Sequence, residues 1–279
     1  MSCNDIVLMD GASGTCLWEK AGDRSPVWRY NLEKPGIVSE LAREYVDAGS
    51  RIVMTNTFAA NRPSLKRTNY SVKQIVGAGV RLAREAVGGR ARVALDIGPL
   101  PVFMEPYGDL TEEEAFELFD EQIRAGVSEQ PDLIALETFM DADMLRVAAE
   151  AAARHDLPIF ATMTFTEVGK TIMGHSVERF VETMAGLPVA AVGLNCSLGP
   201  ERAVDVIASF RQYTDLPLIF KPNAGKPLVV DGVERVEYDV DAFVADSLPA
   251  LQCGVRYLGA CCGSSPAYIR ALSRAIHGQ

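Results

Sequence analysis

Histidine is scarce in this chain: three in 279 residues, His155, His175 and His277. None stands in the H-E-x-x-H spacing, so a histidine-built zinc site of that kind is excluded. Also lacking is any apolar run near the roughly 20 residues of a membrane-spanning helix. The opening Met1-Ser2-Cys3-Asn4-Asp5 has no basic stretch followed by an apolar one, as a secretory leader would. Positive charge is short as well, with 27 Lys and Arg against 37 Asp and Glu, a net charge of −10. That balance argues against nucleic acid and against an anionic membrane surface as partners. G-x-G-x-x-G and G-x-x-x-x-G-K-[ST] are both missing, which removes the usual dinucleotide and phosphate loops. Asn223-Ala224-Gly225-Lys226 keeps a Gly-Lys pair without the frame around it. A cytoplasmic setting is expected, where six cysteines read as thiols, metal ligands or redox groups rather than a disulfide frame.

What is present is a regular alternation. At 48% hydrophobic, the chain has enough apolar surface to build a sizeable core. Candidate strands lie at Ile6–Asp10, Arg51–Asn56, Arg92–Ile97, Leu133–Thr138, Ile159–Phe165, Ala190–Cys196, Leu216–Lys221 and Val255–Ala260. Most are continuous apolar runs, as in a parallel sheet covered on both faces. Helix-length segments separate them. Ile37–Ala48 repeats apolar residues at three- and four-residue spacing, and Thr111-Glu112-Glu113-Glu114 opens another helix with a capping-box spacing. Pro200 and Pro266 suit the first turn of two more. Eight strand–helix pairs at about 35 residues each predict an α/β fold, a single (β/α)8 barrel. An open doubly wound sheet shares the alternation, but the count of eight and the missing glycine fingerprint favour closure. No Pro/Ser linker or charge block divides the chain, so residues 1–279 are read as one domain.

In such a barrel, function sits at the C-terminal ends of the strands. Here those ends are polar: Asp10-Gly11, Asn56-Thr57, Asp96, Glu137-Thr138, Thr164, Asn195-Cys196, Lys221-Pro222-Asn223 and Cys261-Cys262. Cys196 and the Cys261–Cys262 pair stand at two such ends. Three converging thiolates would bind Zn²⁺ tetrahedrally with one position open. Buried cysteines also serve as small hydrophobes, and a vicinal redox disulfide is a further option. Cys3, Cys16 and Cys253, at a terminus, a loop and a helix, read as incidental. Asp10 and Glu137 each end an apolar strand, where an unpaired charge is costly. They would either receive a substrate's ammonium group or form a structural pair with Arg51, Lys221 or another buried cation. Gly11-Ala12-Ser13-Gly14 offers backbone N–H groups to a carboxylate. His175 as a general base competes with a solvated or capping role. Trp18, Trp28 and Tyr30, in the long first loop, either cover the mouth or pack on the rim.

These residues together resemble the homocysteine S-methyltransferase family, and most of all the homocysteine-binding barrel of cobalamin-dependent methionine synthases. The resemblance runs over almost the whole chain. It rests on M-D-G-A-S-G-T (9–15), T-N-T-F-A-A (55–60), D-I-G-P (96–99), L-E-T-F (136–139), M-T-F (163–165), G-L-N-C-S-L-G-P (193–200), P-N-A-G-K-P (222–227) and G-A-C-C-G (259–263). It implies that Cys196, Cys261 and Cys262 are zinc ligands, with the homocysteine sulfur as incoming ligand. It further implies that Asp10 and Glu137 hold the substrate amine, that Gly11 and Ala12 supply N–H groups near its carboxylate, and that Asn195 and Asn223 lie near the substrate. One departure is Ala260, where most relatives have glycine; all three ligands remain, and the added methyl is read as tolerable.

The implied reaction turns homocysteine thiolate into methionine by methyl transfer. A free alkyl thiol is mostly protonated at neutral pH, whereas zinc coordination displaces the proton and leaves the sulfur nucleophilic. Neither a second barrel for a folate nor the D-x-H-x-x-G signature of a corrinoid module occurs in the sequence. The resemblance to the cobalamin-dependent type then implies methylcobalamin or another methylcorrinoid on a separate protein as donor, docked on segments 19–36 and 98–110. Alternatives are S-methylmethionine or a betaine as donor, transfer in the reverse direction to a corrinoid, or a non-catalytic zinc- and homocysteine-binding subunit.

Overall fold

The structure, a computed structural model, describes residues 6–278 except 226, 231, 232 and 237, and only the backbone for 227–230 and 233–236. Cys3 and Lys226 lie outside the described residues. Among the described residues ten strands are formed: β1 (Val7–Leu8), β2 (Ile52–Met54), β3 (Arg92–Ile97), β4 (Leu133–Phe139), β5 (Ile159–Met163), β6 (Val189–Asn195), β7 (Leu218–Lys221), β8 (Pro227–Val230), β9 (Val233–Val236) and β10 (Val255–Leu258). Eight make one all-parallel sheet in the order β1-β10-β7-β6-β5-β4-β3-β2. Met9 pairs with Ile52 in parallel, joining β1 to β2 and bringing the two edges together. This is the expected α/β barrel, with helices packed outside the strands. β8 and β9 form an antiparallel hairpin after β7 that the apolar pattern does not forecast.

The core has two layers, and the period of two in a strand separates them. Inside the barrel lie Met9, Ile52, Met54, Ala94, Leu133, Ala135, Phe160, Ala191 and Ile219, with Val7 and Tyr257 against them. The alternate positions, among them Leu8, Val53, Val93, Leu95, Ile134, Leu136, Val192 and Phe220, face the helices. Counting two residues on from the interior positions has a direct consequence. Ala94 leads to Asp96, Ala135 to Glu137, Phe160 to Thr162, Ile219 to Lys221 and, by two steps each, Ala191 to Asn195 and Tyr257 to Cys261. The polar strand ends are thus the top layer of the barrel interior.

Six of the eight expected strands run past the observed ones at one end or both. The ladder of Ile6–Asp10 is confined to Val7–Leu8 and the Met9 bridge to Ile52, and Val255–Ala260 leaves it after Leu258. Beyond Leu258 the backbone bonds continue, Gly259 N–H to Phe220 O of β7 at 3.0 Å and Ala260 N–H to Asp10 O at 3.1 Å. The helix starts follow their local chemistry. Pro200 and Pro266 each open a helix, Pro200–Ser209 and Pro266–His277. Thr111 caps Glu112–Val127: Glu114 N–H donates to Thr111 Oγ1 at 3.2 Å, and Thr111 N–H to Glu114 Oε2 at 3.0 Å. Thr111→Ala is expected to lower the unfolding free energy by about 1 kcal/mol. The check is a lower urea midpoint at unchanged slope. No helix among the described residues is long and apolar enough to cross a membrane.

Candidate metal and substrate site

Cys196 follows directly on β6, and Cys261 and Cys262 stand three and four residues past the end of β10. Their approach requires both chains to leave extended geometry. Cys196 and Ser197 take left-handed φ of 62° and 60°, and Gly263 follows the pair at 80°. Non-glycine residues adopt this region at a cost, and such strain gathers at functional sites. Cys196 N–H donates to Lys221 O at 3.0 Å and Cys261 N–H to Pro222 O at 2.8 Å, so the β7 end holds both turns in register. Gly259 serves by its size rather than its φ: a Cβ there would stand 2.7 Å from Asp10 O. Ala260, fully buried, keeps a negative φ that alanine adopts without strain.

The three sulfurs all lie within 4.8 Å of one another, and Cys196 Sγ is 3.7 Å from Cys262 Sγ. A tetrahedral zinc with sulfurs at about 2.3 Å sets its ligands about 3.8 Å apart. The donor set therefore fits zinc in distance, in softness and in leaving a fourth position. Electrostatics agrees. Hydrogen bonds from Cys261 and Cys262 hold the Cys196 sulfur as a thiolate, pulling its pKa down to about 3. The same bonds to Cys196 push Cys262 up to about 12 and Cys261 well above the ordinary thiol range. A divalent cation among them would favour ionisation of all three. Cys16, Cys196, Cys253, Cys261 and Cys262 are all free of disulfides, and neither Cys16 nor Cys253 joins the cluster.

Beside the sulfurs, Lys221 Nζ, 3% exposed, donates to Asp10 Oδ1 at 3.3 Å and to Glu137 Oε2 at 3.1 Å. Of the two readings left open by the sequence, the structure makes the pairing with Lys221; Arg51 is exposed. Asp10 Oδ2 also accepts Met54 N–H at 2.7 Å, so both its oxygens are engaged. Burial raises the Asp10 and Glu137 pKa values, and the Lys221 charge draws them part of the way back. Burial works against the charge of Lys221, but the attraction of Glu137 and Asp10 outweighs it, and its pKa stands above the usual lysine range.

Asn195, fully buried, ties the site together. Its Oδ1 accepts from Thr138 N–H and Thr162 Oγ1, both at 2.8 Å, and its Nδ2 donates to Thr138 Oγ1 at 2.7 Å. Nδ2 also reaches Cys261 Sγ at 3.9 Å. Thr138 is thereby held at φ 65°, unusual for a β-branched residue. Asn223 hydrogen-bonds Cys196, while its Oδ1 is buried with no partner among the described residues. Ala12 N–H donates to Ser264 Oγ at 3.0 Å, which in turn donates to Cys261 O at 2.7 Å. Gly11 fits tightly there, since a Cβ would meet Ser264 Oγ at 2.5 Å. His175 pairs with Asp141 at 3.5 Å, outside this group, and Trp28 and Tyr30 are buried against the core. Sequence reasoning gave no role to Asp96, Thr138, Thr162 or Ser264. The signal for the first three was their place on the inward parity of β3–β5 or at a strand end; Ser264 had none.

The homocysteine S-methyltransferase family model matches residues 7–276. A methionine synthase of Mycobacterium tuberculosis (strain ATCC 25618 / H37Rv) is 26% identical over 297 residues. The match takes in 97% of this chain but only 24% of that protein, so the chain spans about a quarter of its relative's length. Among solved structures, the oxidized form of the homocysteine methyltransferase MmuM from Escherichia coli superposes with a TM-score of 0.83 at 23% identity, covering 97% of this chain and 96% of that one. Its metallated form gives 0.80 at 24%, with the same coverage. At these identities the two solved structures speak for the fold.

Proposed function

The chain belongs to the homocysteine S-methyltransferase family, and from that premise we propose that it methylates the thiolate of homocysteine to give methionine, with Cys196, Cys261 and Cys262 holding a zinc ion. The observation that carries this reading is the convergence of three sulfurs from two strand ends within 4.8 Å. We read residues 1–279 as one homocysteine-binding barrel domain acting in the cytoplasm.

Zinc held by the three sulfurs would supply acidity toward a fourth sulfur, keeping the substrate thiol deprotonated at neutral pH. The chain's own residues do the rest. Asn195 orients Cys261 through its amide, and Asn223 does the same for Cys196, as outer partners of metal ligands do. Glu137 offers its second oxygen to the substrate ammonium, Lys221 holding the first. Asp10 fixes Lys221 and through it the aim of Glu137. Gly11 supplies an N–H to the substrate carboxylate, and Ala12 joins it by exchanging its bond to Ser264. Thr138 and Thr162 hold Asn195 in one orientation, so no reorganisation is needed when substrate enters.

For the donor, a methylcorrinoid such as methylcobalamin carried on a separate protein is the reading we favour, on the likeness to a methionine synthase over the whole barrel. Exposed apolar side chains after β3 to β5, Phe103, Tyr107, Val168 and Ile172, give the mouth a rim suited to a large donor. The test supplies homocysteine with methylcobalamin, S-methylmethionine and betaine in parallel and measures methionine. Methionine from methylcobalamin is the expected result. Turnover with S-methylmethionine or betaine alone overturns the donor, and methionine from none of them overturns the reaction.

A further inference from the structure

The face of the barrel away from the three cysteines is built from the strand starts, and there the charge balance of the chain reverses. Overall, 27 Lys and Arg stand against 37 Asp and Glu. A cavity of about 490 Å³ at the starts of β1–β4 is lined by Arg51, Arg84, Arg90 and Arg92 against one carboxylate, Asp132. Local backbone structure gathers them. The parallel ladder pairs Ile52 with Arg92, so Arg51 and Arg92 stand on neighbouring strand starts. Arg84 is in the last turn of the helix Val72–Val87. Gly88 and Gly89, at left-handed φ of 55° and 76°, then turn the chain at once into β3 through Arg90.

Two of the four guanidinium groups are already matched. Arg84 donates to Gln130 O and lies 3.7 Å from Asp132 Oδ2, which itself accepts Val93 N–H at 2.7 Å. Arg90 donates to Asp47 Oδ1 at 2.6 Å. Arg51 and Arg92, both exposed, have no hydrogen bond or ion pair among the described residues. The cavity is thus left with two unmatched positive charges side by side, whose repulsion a bridging anion relieves. Each guanidinium offers a planar fork that meets an oxyanion at two points. A volume of this size is in the range of small-molecule sites.

We propose that this cavity on the barrel floor binds a small molecule carrying two oxyanion groups, one received by Arg51 and the other by Arg92. Arg84 and Arg90, held by their own partners, form a fixed positive wall behind them. A single oxyanion is too few for two unpaired forks, and Val7 and Val87 in the lining offer apolar contact to an organic body. The site stands apart from the proposed reaction, because the bodies of β2 and β3 separate it from the polar mouth.

The test is calorimetric titration of the full chain with ADP, with propane-1,2,3-tricarboxylate and, as a single group, with inorganic phosphate. It is run at about 0.1 M KCl, where exposed charges act over roughly 10 Å. A Kd below about 1 mM is expected for ADP or the tricarboxylate, at least about tenfold tighter than for phosphate. Whichever of the two binds the more tightly identifies the source of the groups, a phosphorylated or a polycarboxylate compound. Replacing both side chains, Arg51→Gln with Arg92→Gln, is expected to weaken that binding about tenfold or more. Neither side chain has a bond within the fold to lose, so the thermal midpoint of the ligand-free variant should match wild type. Arg51→Gln alone, weakening binding about threefold or more, serves should the double variant not fold. Phosphate as tight as the better two-group probe, no binding of either probe, or an affinity unchanged by the substitutions overturns the site.

Discussion

Cys261→Ser is expected to strip the chain of stoichiometric zinc and to cut methyl transfer to homocysteine more than about a hundredfold at pH 7. A serine hydroxyl is a hard, neutral donor that does not ionise at this pH, so two thiolates would remain where zinc takes three. Without the metal the substrate is a free thiol, of which only a few per cent is thiolate at neutral pH. That fraction accounts for a loss of some tens-fold, and losing the fixed position of the sulfur supplies the rest. The fold should hardly notice, because the local backbone bonds, Cys261 N–H to Pro222 O and Ser264 Oγ to Cys261 O, do not involve the sulfur. Zinc by metal analysis after dialysis, thermal midpoint and methionine formation are the three readouts. A Cys261→Ser protein that retains one zinc and full activity sinks the ligand assignment. Chelation of the wild type should reproduce the variant, and added zinc should restore only the wild type.

The site was legible because strand ends in a barrel announce themselves as polar residues after apolar runs. Cys196, Asn195, Glu137 and Lys221 were reached in this way, and the barrel itself from eight such runs. What was not legible depends on which way a side chain turns and which partner it takes. Asp10 and Glu137 read alike in the sequence, yet Met54 N–H closes one and leaves the other a free oxygen. That difference comes from the β1–β2 contact, between residues 44 positions apart. Asp96 shows the same limit. Its parity with Ala94 places it inside, but its lack of a partner follows from Lys221 being taken by two other carboxylates. The left-handed turns at Thr138 and Cys196 also left no trace, since neither is a glycine; Asn195 and the β7 end enforce them from a distance. The family resemblance supplied roles that the residue types alone left open.

Lys221→Met is expected to destabilise the barrel by about 3–5 kcal/mol at neutral pH, because it leaves two buried carboxyl groups facing an apolar side chain. At roughly 2–4 °C per kcal/mol for a domain near this size, the thermal midpoint should fall by several degrees or more. The sign of the pH dependence identifies the cause. Asp10 and Glu137 already have pKa values raised by burial, and a carboxyl raised on folding makes folding less favourable as pH climbs from its unfolded to its folded pKa. Removing Lys221 raises both further. The deficit should therefore be small near pH 4, where the unfolded chain is itself largely protonated at these groups, and full above the variant's raised values. Lys221 moves the other way: its pKa is raised, so its contribution is present below the ordinary lysine value and lost only at strongly alkaline pH. Wild type thus keeps the lysine's charge across the neutral range. Thermal midpoints of both proteins at pH 4.5, 6 and 8 test this, and a gap that stays constant with pH would show that lost packing, not charge, is responsible. Adding Asp10→Asn to Lys221→Met should recover part of the loss, since the amide needs no counter-charge; a strictly additive cycle would mean that the two residues do not interact.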